Sequence, residues 1–302
     1  MSNQGAKALT AGRLERELLA GHYGLEPATA LTPLPGGRIH RFQADGQDVV
    51  LKIHHPLSRP NFHNLSEIYT LCSQERLIPR IHPTRAGAPL GRTNDLVFSV
   101  QDYLIPDHPV PANPQVVAPW LARLHVILNR LDSGPLTNHF QRVAPDLLST
   151  AEQYGYGRLR PFIEEAEEVI RLETPQVVHG DIHPSNVIIR AGRAWFIDLD
   201  SATTLVAASD VAFAAFRLCQ GQPDRVSIFI KDYNSASPPV LVADGHILPF
   251  LIYNILQRLL FILVEAQAGR REWMVDLNNQ KRFLSLVLEG LSDEKESLPV
   301  FS

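Results

Sequence analysis

Two short segments hold the residues whose types and spacing could do chemistry. They are His179-Gly180-Asp181-Ile182-His183-Pro184-Ser185-Asn186 and, shortly after, Phe196-Ile197-Asp198-Leu199-Asp200. Gly180 and Pro184 predict a loop, and the apolar run Val187–Ile189 predicts a strand leading away from it. A turn at Ala191-Gly192 then brings the chain back through Ala194–Ile197. A loop and a hairpin would therefore draw Asp181, Asn186 and Asp198 together. A carboxylate, an amide oxygen and a second carboxylate suit phosphoryl transfer. One carboxylate orients a hydroxyl and takes its proton, while hard oxygen ligands hold magnesium against phosphates. The same run permits a rival. His179, Asp181, His183 and Asp198 could instead ligate the metal of a hydrolase, which leaves Asn186 without a task.

The pattern His-Gly-Asp-x-His-x-x-Asn followed by Ile-Asp-x-Asp resembles the signature of the aminoglycoside phosphotransferase and choline kinase family. The resemblance implies a bilobal α+β protein-kinase-like fold, with a small N-terminal β-sheet lobe and a larger, mainly helical C-terminal lobe. It implies ATP and Mg2+, with Asp181 as catalytic base and Asn186 and Asp198 as metal ligands. Asp200 would help with metal, and His179 and His183 would shape the loop. Ser209-Asp210-Val211-Ala212 resembles the family's supporting acid, so Asp210 would hold the catalytic loop. Leu121-Ala122-Arg123-Leu124-His125 resembles a family helix whose histidine is structural.

Such a site needs a nucleotide-holding lobe ahead of it. Pro35-Gly36-Gly37-Arg38 precedes the first expected strand, and Gly36 and Gly37 would let backbone amides approach phosphate. Lys52 lies in Val49-Val50-Leu51-Lys52-Ile53, where alternation places it on one face with Val50. A lysine among apolar neighbours needs a partner or a ligand, because an unpaired buried ammonium is costly. By resemblance Lys52 would contact phosphates, and Glu67 on the next expected helix would pair with it; Glu75 competes for that role. Ser99–Leu104 resembles the adenine-binding hinge, with Gln101, Asp102 and Tyr103 as contacts.

The elements follow from periodicity. Helices are expected at Leu9–Tyr23, Asn64–Glu75, Val116–Leu128, Pro145–Tyr154 and Arg160–Leu172. Strands are expected at Arg38–Gln43, Asp48–His54 and Leu96–Tyr103, the first two joined at Asp45-Gly46. Proline-rich Ile105–Pro114 reads as a linker, which gives lobes of 1–107 and 108–302.

Composition sets outer bounds. Of 302 residues, 45% are hydrophobic and 20% charged, as in ordinary globular chains. A net charge of −4 gives no electrostatic reason to expect nucleic acid. Two cysteines, Cys72 and Cys219, exclude a disulfide framework. No apolar stretch marks the first ten residues as a secretory signal, and Asn254, Gln257 and Arg258 interrupt the apolar run Ile247–Val264. The expectation is a cytoplasmic protein without a membrane span. Its partners would be a nucleotide and a hydroxyl-bearing small molecule or peptide. The mild acidic excess after Val110 does not single out a polycationic acceptor.

Overall fold

A computed structural model describes residues 12–34, 38–54, 62–108, 110, 113–131, 136–138, 140–141, 146–236, 241–270 and 274–293. The chain divides into two compact units. The first contains Met1–Pro106 and Trp195–Asp200; the second contains Asp107–Ala194 and Ser201–Ser302. Trp195–Asp200, which the sequence groups with the C-terminal lobe, thus joins the N-terminal residues.

The first unit is built on an antiparallel sheet. Its strands are β1 (Thr32–Pro33), β2 (Ile39–Ala44), β3 (Gln47–Ile53), β4 (Ile81–His82), β5 (Gly91–Arg92) and β6 (Val97–Asp102). Their order is β1-β2-β3-β6-β4, and β5 also pairs with β6. Asp45 and Gly46 both adopt positive φ, 52° and 75°, which matches a two-residue hairpin turn to the right-handed twist of its strands. That turn fixes the register Ile39↔Lys52. Val49 and Leu51 face a core with Phe42, Phe98 and Val100, against which Leu18, Leu19 and Tyr23 of the N-terminal helical segment pack. Val50 and Lys52, on the alternate face, are buried as well. Helix α1 (Phe62–Gln74) buries Leu65, Ile68, Tyr69 and Cys72 at helical spacing.

The second unit is mainly helical. It comprises α2 (Val117–Leu128), α3 (Leu147–Gln153), α4 (Arg160–Leu172), α5 (Ala207–Cys219), α6 (Pro223–Ala236), α7 (Ile247–Gln267) and α8 (Met274–Asp293). Helix α7 packs against α3, α4, α5 and α8, while α2 packs against α6. By length and composition α7 could cross a bilayer, yet 72% of its apolar window is buried within the protein. It is a core helix. A short ladder completes the unit, β7 (Gln176–Val178) pairing antiparallel with β10 (Thr203–Leu205), and β8 (Val187–Arg190) begins a hairpin with β9 (Arg193–Phe196), whose last two residues are counted with the first unit.

The expected linker is not free chain. Asp107 N–H donates to the Ile189 carbonyl at 2.9 Å, and His108 bridges Ile189. The Asp107 carboxylate accepts from Ala191 N–H at 2.5 Å, capping the turn of the β8–β9 hairpin. Pro and polar composition signalled irregular backbone, and local hydrogen bonds then tied it down.

Candidate active site

In the second unit, the catalytic-type loop runs from the end of β7 to the start of β8. Gly180 turns it with φ +75°, and a Cβ there would lie 2.3 Å from the Ser201 carbonyl oxygen. Both conformation and space therefore demand glycine. Gly180→Ala should cost about 2 kcal/mol or more and lower the thermal unfolding midpoint by several degrees. An unchanged midpoint would contradict this backbone assignment.

Asp210, in the first turn of α5, holds the loop from below. Its Oδ2 accepts from His179 N–H and its Oδ1 from Gly180 N–H, both at 3.0 Å. Oδ2 is also 3.1 Å from His125 Nε2, and His125 Nδ1 is 2.8 Å from the Tyr233 hydroxyl. The chain from α6 through α2 to the loop is fully buried, so each polar group in it needs the next. His179 Nδ1 accepts from Asp181 N–H at 3.3 Å. His183 caps the single turn Pro184–Asn186, its Nδ1 accepting from Ser185 N–H, while its Nε2 lies 3.7 Å from Asp181 Oδ2.

Asn186 closes the loop. Its Nδ2 donates to the Asp181 carbonyl at 2.9 Å and reaches Asp181 Oδ2 at 3.4 Å. With the nitrogen committed, the hard amide oxygen is the group left for a ligand. Arg258, from the middle of α7, was not expected here. Its Nη2 donates to the Gly180 carbonyl at 2.6 Å, and Nη1 lies 2.9 Å from Asp181 Oδ1. That second approach is off-axis: Asp181 Oδ1 is buried and has no hydrogen-bond donor among the described residues. The guanidinium is stacked between Phe140 and Phe213, 4.4 Å from each ring centre.

Burial alone would raise the Asp181 pKa. Arg258, then His183 and His179, more than offset it and hold the carboxyl well below the usual range. Asp181 is therefore a fixed anion with one unfilled acceptor atom. Arg258→Met should strand that anion and lower unfolding stability by about 3–5 kcal/mol, whereas Arg258→Lys should retain part of it. Chemical denaturation would show the difference, and equal stability of all three forms would overturn the pairing.

In the first unit, Lys52 is buried and donates to Asp198 Oδ1 at 2.6 Å and Asp200 Oδ1 at 3.0 Å. Burial would push its ammonium toward neutrality, but Asp198 and then Asp200 hold its pKa well above the lysine norm. Glu67 does not fill the role expected of it. It is exposed on α1, and the Lys52 ammonium is occupied by the two aspartates. Glu75 lies beyond the end of α1.

Asp200 is 8% exposed at its side chain, and its Oδ1 also meets His54 Nδ1 at 2.5 Å. His54 Nε2 in turn meets Ser99 Oγ at 3.0 Å. Asp200, expected to help with metal, is thus a buried brace for Lys52 and His54. Asp198 differs. It is 43% exposed at its side chain, has one oxygen beyond the lysine contact, and holds φ at +64°. Such backbone is sparsely populated by residues with a side chain and is kept only where the surroundings enforce it.

The hinge residues also differ from expectation. Gln101 is buried within β6, paired with Val50 and Ile81. Asp102 N–H donates to Arg80 and Tyr103 N–H to Asp48, each at 2.9 Å, so neither amide is spare. Asp102 is 2.8 Å from His82, and the Tyr103 ring lies under Arg41. Gly36 and Gly37 lie outside the described residues.

Residues 30–240, more than two thirds of the chain, match the family model described as the phosphotransferase enzyme family, APH. The chain belongs to that family. Solved structures share the phosphotransferase's fold at low identity. Choline kinase LicA from Streptococcus pneumoniae is 15% identical with a TM-score of 0.63, covering 92% of this chain and 98% of that one. Spectinomycin phosphotransferase APH(9)-Ia, in complex with ADP and spectinomycin, is 13% identical with a TM-score of 0.60, covering 93% and 98%. Amicoumacin kinase hAmiN, in complex with AMP-PNP, Ca2+ and Ami, is 12% identical with a TM-score of 0.61, covering 92% and 96%. Comparison with curated proteins finds no match. The phosphotransferase therefore has the protein-kinase-like α+β fold expected from its sequence, and its activity is transfer of a phosphoryl group to an alcohol.

Two site residues were legible but unread. His54 follows Lys52 by two at the end of the strand expected over Asp48–His54, so alternation already put both on the same face. Arg258 is a charge inside an apolar helix, and such a charge needs a buried partner.

Proposed function

We propose that the protein transfers the γ-phosphoryl of ATP, with magnesium, to a hydroxyl on a small molecule. The observation that carries this reading is the Asp181 carboxylate, kept ionised by Arg258 and still 19% exposed at its side chain. An acceptor hydroxyl would meet the exposed part of this carboxylate, giving it its proton while its lone pair attacks the γ-phosphorus. The new bond joins the acceptor oxygen to phosphorus, the bond from phosphorus to the bridging oxygen breaks, and ADP leaves. Asp181 orients the nucleophile and takes its proton late.

Each in its own unit, the Asp198 carboxylate, 43% exposed, and the Asn186 amide oxygen are hard donors of the kind magnesium takes. When bound, the metal neutralises charge on the phosphate oxygens. Lys52 would contact the phosphates. Leu104 and Ile105, immediately beyond β6, are better placed in sequence to meet adenine than Asp102 and Tyr103, whose amides are spent. The exposed Ile105 side chain supplies an apolar cover. Nucleotides in the spectinomycin and amicoumacin enzymes support the ATP assignment. Consumption of ATP and magnesium goes with a cytoplasmic setting.

A coupled assay of ADP release tests the reading. Amino alcohols, aminoglycosides, hydroxy acids and a Ser/Thr peptide would be offered in turn. One class of low-mass alcohol should accelerate release, and chelation by EDTA should abolish it. Phosphate transferred to the peptide alone would contradict the small-molecule acceptor.

A further inference from the structure

We propose that the acceptor carries an oxyanion, a carboxylate or phosphate, which Arg217 receives while Asp181 takes the hydroxyl. This rests on the phosphotransferase reading above and narrows it to a substrate class.

Arg217 projects from the last turns of α5, the helix whose first turn carries Asp210. Its guanidinium lies 5.3 Å from the centre of Phe213 and 4.6 Å from Phe283 of α8. Arg258 covers the same Phe213 ring at 4.4 Å. One aromatic side chain thus supports two guanidiniums, and one of these is the partner of Asp181. Arg258 donates to the Gly180 carbonyl and is ion-paired with Asp181. Arg217, half-buried, meets no carboxylate at ion-pair distance among the described residues. Burial and the neighbouring Arg258 charge lower its pKa, opposed by Asp181 and Asp276. The flat faces of Arg217 are covered by the rings, while its in-plane N–H fork meets no carboxylate at ion-pair distance among the described residues.

The charges around the loop point the same way. The groups that act most strongly on the Asp181 carboxylate are Arg258, His183 and His179, all basic. An ammonium on the acceptor would meet repulsion from the two arginines, opposed by Asp181 and Asp276. An oxyanion would be gripped by a preorganised planar fork that no ion pair among the described residues occupies. Aromatic stacking keeps that fork still, which limits the entropy lost on binding.

The experiment compares glycerate and glycerol 3-phosphate with glycerol, ethanolamine and choline. Ester formation is read by ADP release, and binding by saturation-transfer NMR with Mg·ADP filling the nucleotide site. Anionic probes should bind best, with the two anions separating carboxylate from phosphate. Arg217→Gln should raise their KM about tenfold or more with a smaller change in kcat, and Arg217→Lys should recover part of the loss. Preference for choline, ethanolamine or glycerol would overturn the inference, as would unchanged anion binding by Arg217→Gln. Turnover of a cationic alcohol would leave phosphotransfer standing and remove the anionic acceptor. Arg217-dependent anion binding without any ester would do the reverse.

Discussion

Asp181→Asn should lower turnover by roughly 10²–10⁴-fold while nucleotide affinity stays within a few-fold of the native protein. The substitution keeps size and one acceptor oxygen but removes the anion. An amide cannot accept a proton from the attacking hydroxyl, and its NH2 would oppose Arg258 Nη1, which now sits 2.9 Å from Oδ1. Asn186 Nδ2 and the Asp181 carbonyl would keep the loop closed at 2.9 Å. Lys52, Asp198 and the rest of the first unit are untouched, so nucleotide binding should survive. Loss of turnover would be read from ADP release and retention of binding by calorimetric titration of ATP with magnesium. Native turnover in the variant would remove Asp181 from the chemistry.

The second large effect separates two aspartates that sit two residues apart. Asp198→Asn should reduce turnover about 10³-fold, equivalent to ~4 kcal/mol of barrier, with a raised magnesium requirement and near-native folding. Asp198 is 43% exposed, and Lys52 keeps Asp200 when its charge is lost. Asp200→Asn should instead destabilise the fold by about 3–5 kcal/mol, because buried Lys52 and His54 lose a shared anion. Magnesium titrations of rate, set beside urea unfolding of both variants, would show the split. Identical behaviour of the two substitutions would contradict the distinction between open ligand and buried brace.

Residue by residue, what the sequence announced was governed by short-range rules. Asp45-Gly46 and Ala191-Gly192 each demanded paired positive φ, and each is a hairpin turn. The expected helix Arg160–Leu172 has those bounds, since its apolar positions recur at helical spacing and polar residues fill the remainder. Lys52 declared its need for partners through the apolar residues around it. Which partners answered was hidden: Asp198 lies 146 residues away in sequence, and Glu67, though near in sequence, sits on the exposed side of α1. Periodicity reported that α1 is a helix, not which acid its packing would turn toward Lys52.

Two-residue strands such as β1, β4 and β5 are too short for alternation to mark. The pairing of β7 with β10 was equally silent, since the register Val178↔Thr203 depends on the fold and on no local turn. The backbone groups of the expected hinge were hidden for a different reason. Strand character identified β6, but only the sheet shows that Asp102 and Tyr103 have already given their N–H groups away. Arg258 was visible as a charge in an apolar run and yet told nothing of Asp181, 77 residues upstream by their numbering.

The most direct measurement follows phosphorus. Phosphorus NMR of the native protein with ATP, magnesium and the accepted alcohol should show a new phosphomonoester resonance growing in step with ADP. The same mixture with Asp181→Asn should show almost none. Appearance of inorganic phosphate in place of an ester, or an ester formed equally by the variant, would contradict a hydroxyl aimed by Asp181 at the γ-phosphorus.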